Sequence, residues 1–131
     1  MNEESVSIVI SIGSNYGNKE GNVKKACEWL SAQLPESVVS SVYFSEPVGR
    51  VKTDEVYCNA VVKGKYKGDL SELEEELKKY ELQHGRTSEA RAMGHVPIDL
   101  DIVIIGKEIV RPRDFSREFF LKGFREINEV V

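Results

Sequence analysis

No apolar run in this sequence approaches the roughly 20 residues that a membrane-spanning helix needs. Its first residues, Met1-Asn2-Glu3-Glu4, lack the basic start and long apolar stretch of a secretory signal. A cytoplasmic protein with no membrane partner is expected. Cysteine and histidine are scarce, with two of each. Cys27 and Cys58 form no Cys-x-x-Cys pair, and neither His84 nor His95 has a partner at metal spacing, which argues against zinc. Both cysteines fall in apolar patterns and read as buried free thiols. Positive charge does not dominate either. The net charge of -4 argues against general nucleic-acid binding, which needs a basic footprint. Gly13-Ser14-Asn15 with Gly17 is too short for a P-loop, and Gly-Lys-Ser/Thr is missing, so this stretch reads as a strand-to-helix turn whose backbone helps to bind a ligand.

What remains is ordinary globular material, 40% hydrophobic and 31% charged. A length of 131 residues predicts a single domain over 1–131 with a core that needs no disulfide or metal staple. The arginines are unevenly spread: Arg86, Arg91, Arg111, Arg113, Arg117 and Arg125 all fall in the last third. That clustering suggests a local anion site on an acidic protein, the alternative being a solvated surface.

Val6 to Ile12 alternates and is β-branched, which predicts a strand. Val23, Ala26, Cys27, Leu30 and Leu34 recur at helical spacing until Pro35. Val38 to Phe44 reads as a second strand, followed by a polar loop to about Asp54, and Val56 to Val62, continuing towards Tyr66, as a third. Asp69 and Glu72 cap a helix with one stripe of Leu70, Leu73, Leu77 and Tyr80, which Gly85 stops. A loop from Arg86 to Pro97 leads into the strongest strand, Ile98 to Ile105. A basic tail with one short apolar helix near Phe119 to Ile127 ends the chain. The order β-α-β-β-α-β predicts an α+β, ferredoxin-like fold: an antiparallel sheet, two helices on one face and a short C-terminal tail.

Asp99-Leu100-Asp101 is the sharpest chemical feature. Residues two apart on a strand share a face, so both carboxylates point one way. Paired oxygen ligands suit magnesium, which keeps waters and bridges to substrate phosphates. Spacing alone also fits two solvent-facing aspartates. Arg86 and Arg91 on the entering loop and Arg117 on the tail are candidates for bidentate phosphate contacts. Tyr57 and Asn59 likewise share a strand face, where a ring and an amide suit a flat heteroaromatic ligand.

In order along the chain, Ile12-Gly13-Ser14-Asn15, Ser40-Ser41-Val42-Tyr43, Glu46-Pro47-Val48-Gly49, Tyr57-Cys58-Asn59-Ala60-Val61-Val62, Glu81-Leu82-Gln83-His84-Gly85-Arg86 and Ile98-Asp99-Leu100-Asp101-Ile102 resemble the 6-hydroxymethyl-7,8-dihydropterin pyrophosphokinase family over nearly the whole sequence. The resemblance implies transfer of the β,γ-diphosphate of ATP to the pterin's hydroxymethyl oxygen, giving AMP, with two magnesium ions, in folate biosynthesis. It implies Asp99 and Asp101 as metal ligands and, with Arg86, as the catalytic set. Lys78, Glu81, Arg86, Ile102 and Arg117 would lie along the ATP site, with Arg91 joining them beside a position where the family carries arginine. Ser45, Val48, Tyr57, Asn59 and Phe119 would line the pterin pocket. ATP and 6-hydroxymethyl-7,8-dihydropterin are the expected partners of a monomer.

The sequence also departs from the family pattern. Where the family reads Arg-Trp-Gly-Pro-Arg-Thr before its Asp-x-Asp, this chain has Ala92-Met93-Gly94-His95-Val96-Pro97. Ser88 replaces another common arginine, Arg113 follows Pro112 where the family has histidine, and the tail is shorter. The phosphate clamp is therefore weakened unless Arg91, Arg111 or Arg113 substitutes. Two readings follow: an active diphosphokinase, and a paralogue that binds pterin or nucleotide without useful turnover. A ferredoxin-like interaction domain is the third.

Overall fold

The computed structural model describes residues 5–45 and 56–128. Its centre is strand β1 (Val6–Ser14), followed by helix α1 (Lys19–Gln33). Strands β2 (Val38–Val39), β3 (Tyr43–Ser45) and β4 (Tyr57–Tyr66) come next, then helices α2 (Leu70–Gln83) and α3 (Ser88–Ala92). Strands β5 (Asp99–Ile105) and β6 (Glu108–Ile109) precede helices α4 (Pro112–Phe115) and α5 (Glu118–Asn128). The sheet is six-stranded in the order β2-β4-β1-β5-β6, with β3 also on β4, and every pairing is antiparallel.

Alternation along the strands sorts their side chains onto two faces. Ile8, Ile10, Ile12, Ala60, Val62, Leu100 and Ile102 face α1 and α2, where they meet Val23, Ala26, Leu30, Leu73 and Leu77. Both cysteines are free and buried, Cys27 on α1 and Cys58 on β4. This is the ferredoxin-like arrangement that the element order predicts. The tail is more than an appendage. Val9, Val61 and Val103 on the opposite face pack against Phe120 and Ile127 of α5, so one end of the second sheet face is covered as well. Gly123 lets α5 sit close: a Cβ there would lie 2.7 Å from both Val61 Cγ2 and the Tyr43 hydroxyl.

Two expectations are corrected. The strand expected over Val38 to Phe44 is split. Val39 pairs with Val62 but Tyr43 pairs with Asn59, so four steps on one strand meet three on the other. The extra residue is a bulge. Its cause is Ser40, whose backbone N–H donates to the Val61 carbonyl at 2.9 Å while its hydroxyl oxygen accepts the Val61 N–H at 2.8 Å. The one-residue slip places Tyr43 on the same face as Asn59. The loop expected over Arg86 to Pro97 also contains a helical turn, α3, because the Thr87 hydroxyl caps the Ala90 N–H at 3.1 Å.

Candidate functional site

The sheet face opposite α1 and α2 is left open at the end that α5 does not cover. Strand register determines what lines it. Gly13 pairs with Asn59 on one side and Asp99 on the other, and Ser11 pairs with Val61 and Asp101. The result is a cavity of about 260 Å³ lined by Ser11, Gly13, Ser45, Tyr57, Asn59, Asp99, Asp101, Asp114, Arg117 and Phe119. Eight of these are residues singled out by sequence: Asp99, Asp101, Arg117, Ser45, Tyr57, Asn59 and Phe119 as site residues, and Gly13 as part of the turn after the first strand. Val48 lies outside the described residues.

On the aromatic side, Asn59 is buried and its Nδ2 donates to the Ser45 hydroxyl at 2.7 Å. Burial and the charge of Asp99 hold the Tyr57 phenol above its usual pKa. Phe119 lies in the first turn of α5, and the Tyr43 hydroxyl donates to its carbonyl while accepting the Gly123 N–H at 3.2 Å. Burial pushes that hydroxyl's pKa up to about 12. Tyr43 thus ties the start of α5 to β3 and sets where Phe119 stands.

On the carboxylate side, Arg86 Nη1 lies 2.5 Å from Asp99 Oδ1 and 3.2 Å from Glu81 Oε2. Glu81 is buried in α2, and its Oε2 also accepts the Leu100 N–H at 2.8 Å on the outer edge of β5. Lys78 reaches Glu81 at 3.8 Å from an exposed position. Lys78 and Ile102 border a small depression along the same edge, with Glu74, Leu77, Leu100, Asp101 and Arg111. Arg111 Nη2 is 3.4 Å from Asp101 Oδ1, and its Nη1 is 3.7 Å from Asp114 Oδ2. Arg91 and Arg113 are exposed and line neither the cavity nor the depression.

Burial, and next the neighbouring Asp99 carboxylate, push the Asp101 carboxyl from 3.8 up to about 7, with Arg111 pulling the other way. Burial and the Asp99 charge thus favour the protonated form of Asp101, and a divalent ion would favour the ionised form in its place. Among the described residues no three His, Cys, Asp or Glu side chains gather to hold an ion alone. Two carboxylates completed by water and phosphate oxygens suit magnesium. Because the folded chain holds the Asp101 proton more tightly than the unfolded one, this group contributes stability below about pH 4 that is lost as pH rises through about 7. In chelator, the melting temperature should therefore fall between about pH 5 and pH 8, and Asp101→Asn should shrink that fall. An unchanged difference in Asp101→Asn would contradict the assignment.

The family model for 7,8-dihydro-6-hydroxymethylpterin-pyrophosphokinase matches residues 9–129. The chain belongs to this family. A 2-amino-4-hydroxy-6-hydroxymethyldihydropteridine pyrophosphokinase of Aquifex aeolicus (strain VF5) is 31% identical over 133 residues, covering 95% of this chain and 82% of that protein. A folate synthesis bifunctional protein of Arabidopsis thaliana is 38% identical over 102 residues, 76% of this chain but 21% of that protein. One of Chlamydia trachomatis serovar D is 30% identical over 129 residues, 87% of this chain and 28% of that protein. The match thus spans only a minor part of the bifunctional relatives.

Family motifs and cavity coincide in part. Ser11, Asp114 and the supporting role of Tyr43, a residue quoted only within a family motif, were not read from the sequence. Alternation from Gly13 would have found Ser11, and the bulge that places Tyr43 leaves no mark in the sequence. Asp114 had a faint signal, standing three residues after Arg111 in a helical turn.

Proposed function

We propose that this chain transfers the β,γ-diphosphate of ATP to the hydroxymethyl oxygen of 6-hydroxymethyl-7,8-dihydropterin, releasing AMP, in folate biosynthesis. The observation that carries this reading is one cavity joining an aromatic, amide-bearing wall to a carboxylate and arginine wall. Tyr57 and Phe119 offer ring faces to the pterin, and the Asn59 amide, steadied by Ser45, reads its polar edge. Val48 belongs to the same expected pocket. Arg86 and Arg117 supply guanidinium groups for the phosphates, while Lys78, Glu81 and Ile102 lie along the outer edge of β5, where the nucleotide would extend. Arg91 would join them only by moving from its exposed position.

Asp99 and Asp101 would hold magnesium, two ions by this reading, which neutralises charge on the transferring phosphates. The chain's own part is placement. With alcohol and phosphate sites side by side, the hydroxymethyl oxygen would be held facing the β-phosphorus. Both sites lie within one chain, which supports a monomer with residues 1–131 as one catalytic unit. No helix among the described residues is long and apolar enough to cross a membrane, and a cytoplasmic setting completes the reading.

AMP release that requires both substrates tests the reaction. The pterin wall has its own test. Asn59→Ala should leave the ring edge unpaired and cost roughly 1 to 3 kcal/mol of pterin affinity, with ATP affinity unchanged. A fluorescence titration giving wild-type pterin affinity would contradict this placement.

A further inference from the structure

The turn after β1 holds a buried amide that the proposed reaction leaves unused. Asn15 is 2% exposed. Its backbone N–H donates to the Val96 carbonyl at 2.8 Å, and its Oδ1 accepts the Val96 N–H at 2.6 Å. Its Nδ2 donates to the Gly94 carbonyl at 3.2 Å. Asn22 adds a second tie, with Nδ2 donating to the Pro97 carbonyl at 3.1 Å and to the Tyr16 carbonyl at 3.1 Å. The Tyr16 ring stacks on His95 with centroids 3.8 Å apart. The expectation that the Gly13-Ser14-Asn15 backbone helps to bind a ligand is thus corrected at Asn15, whose N–H is already taken. Gly13 alone of the three lines the cavity.

These bonds close a small ring of chain. Gly13 pairs with Asp99 across the ladder, and Asn15, two residues on, grips Val96, three residues before Asp99. The start of β5 is therefore fixed at two neighbouring points. We propose that Asn15 is a positioning residue that acts through Val96 to set where β5 begins, and so holds Asp99 and Asp101 at the spacing magnesium requires. The inference rests on the metal reading of those two aspartates. The geometry demands an amide: alanine would leave the Val96 N–H and Gly94 carbonyl without partners, and a carboxylate could not donate to Gly94. Removing a group that orients metal ligands from behind typically costs about 10- to 100-fold in metal affinity.

The test is calorimetric binding of a non-hydrolysable ATP analogue at varied magnesium concentration, with amide exchange at Val96 followed in the metal-free protein. In Asn15→Ala, half-maximal binding should need about 10- to 100-fold more magnesium, and excess magnesium should restore it. The Val96 amide should exchange faster, while pterin affinity stays within about twofold. Asp101→Ala should not be rescued by magnesium at all. Wild-type magnesium dependence in Asn15→Ala, with Asp101→Ala unable to bind, would overturn the positioning role and leave the metal reading standing. Normal binding by Asp101→Ala would remove the metal reading and this proposal with it. Should Asn15→Ala fail to fold, Asn22→Ala removes only the outer tie. It should shift the magnesium requirement in the same direction by a smaller factor, and an unshifted requirement would overturn the proposal.

Discussion

Asp99→Ala and Asp101→Ala should each abolish magnesium-dependent nucleotide binding while leaving the fold nearly intact. The packing of β5 is carried by Leu100, Ile102 and Val103, whose side chains are buried in the two cores. The Asp99 side chain is 34% exposed and that of Asp101 19%, both on the cavity face. Removing either relieves repulsion between neighbouring carboxylates. Each arginine also keeps a partner: without Asp99, Arg86 retains Glu81, and without Asp101, Arg111 retains Asp114. Neither variant should melt well below wild type, and calorimetry with Mg-ATP should give no heat of binding for either variant. Normal Mg-ATP binding by either variant would remove that residue from the metal assignment, and by Asp101→Ala the metal reading as a whole.

Arg111→Ala should produce the second large loss, this time in turnover. By the resemblance, the family's arginines before Asp-x-Asp stand where this chain has Ala92 and Val96, so other residues would have to meet the phosphate charge. Of the three arginines that could substitute, Arg111 alone reaches the carboxylates, standing 3.4 Å from Asp101. In its present pose it neutralises Asp101 and Asp114. With magnesium bound at the two aspartates, that guanidinium would be free to contact the substrate's phosphates. Loss of one such donor lowers kcat by about 100- to 1,000-fold, because it acts on charge that builds in the transition state. Arg91→Ala and Arg113→Ala should leave kcat nearly unchanged. If Arg111 compensates only partly, Ala92→Arg with Val96→Arg should raise kcat above wild type without altering pterin affinity. A fast wild type whose kcat survives Arg111→Ala would contradict this account of the phosphate clamp.

Much of the site is legible because strands impose a period of two. Asp99 with Asp101, and Tyr57 with Asn59, share faces by spacing alone, and their register with Gly13 brings both pairs into one cavity. Ile102-Val103-Ile104-Ile105, apolar without alternation, also carries the signal that both faces of β5 are covered there. What covers the second face is harder to read. Phe120 and Ile127 mark α5 as an apolar helix, but its seat depends on Gly123 and on a hydroxyl from β3. Tyr43 reaches that place only through the Ser40 bulge, where a side-chain oxygen replaces a strand partner. The roles of Asn15 and Glu81 are hidden for a similar reason: both satisfy backbone groups distant in sequence, which no local pattern records.

The central claim is transfer of a diphosphate as one unit, and phosphorus magnetic resonance of the reaction mixture tests it most directly. With Mg-ATP, 6-hydroxymethyl-7,8-dihydropterin and the wild-type chain, AMP should appear in step with a new pterin-linked diphosphate. Neither should form when the pterin is omitted or the chain carries Asp101→Ala. Binding of both substrates with no AMP above the uncatalysed rate, or formation of ADP and a pterin monophosphate instead, would contradict it.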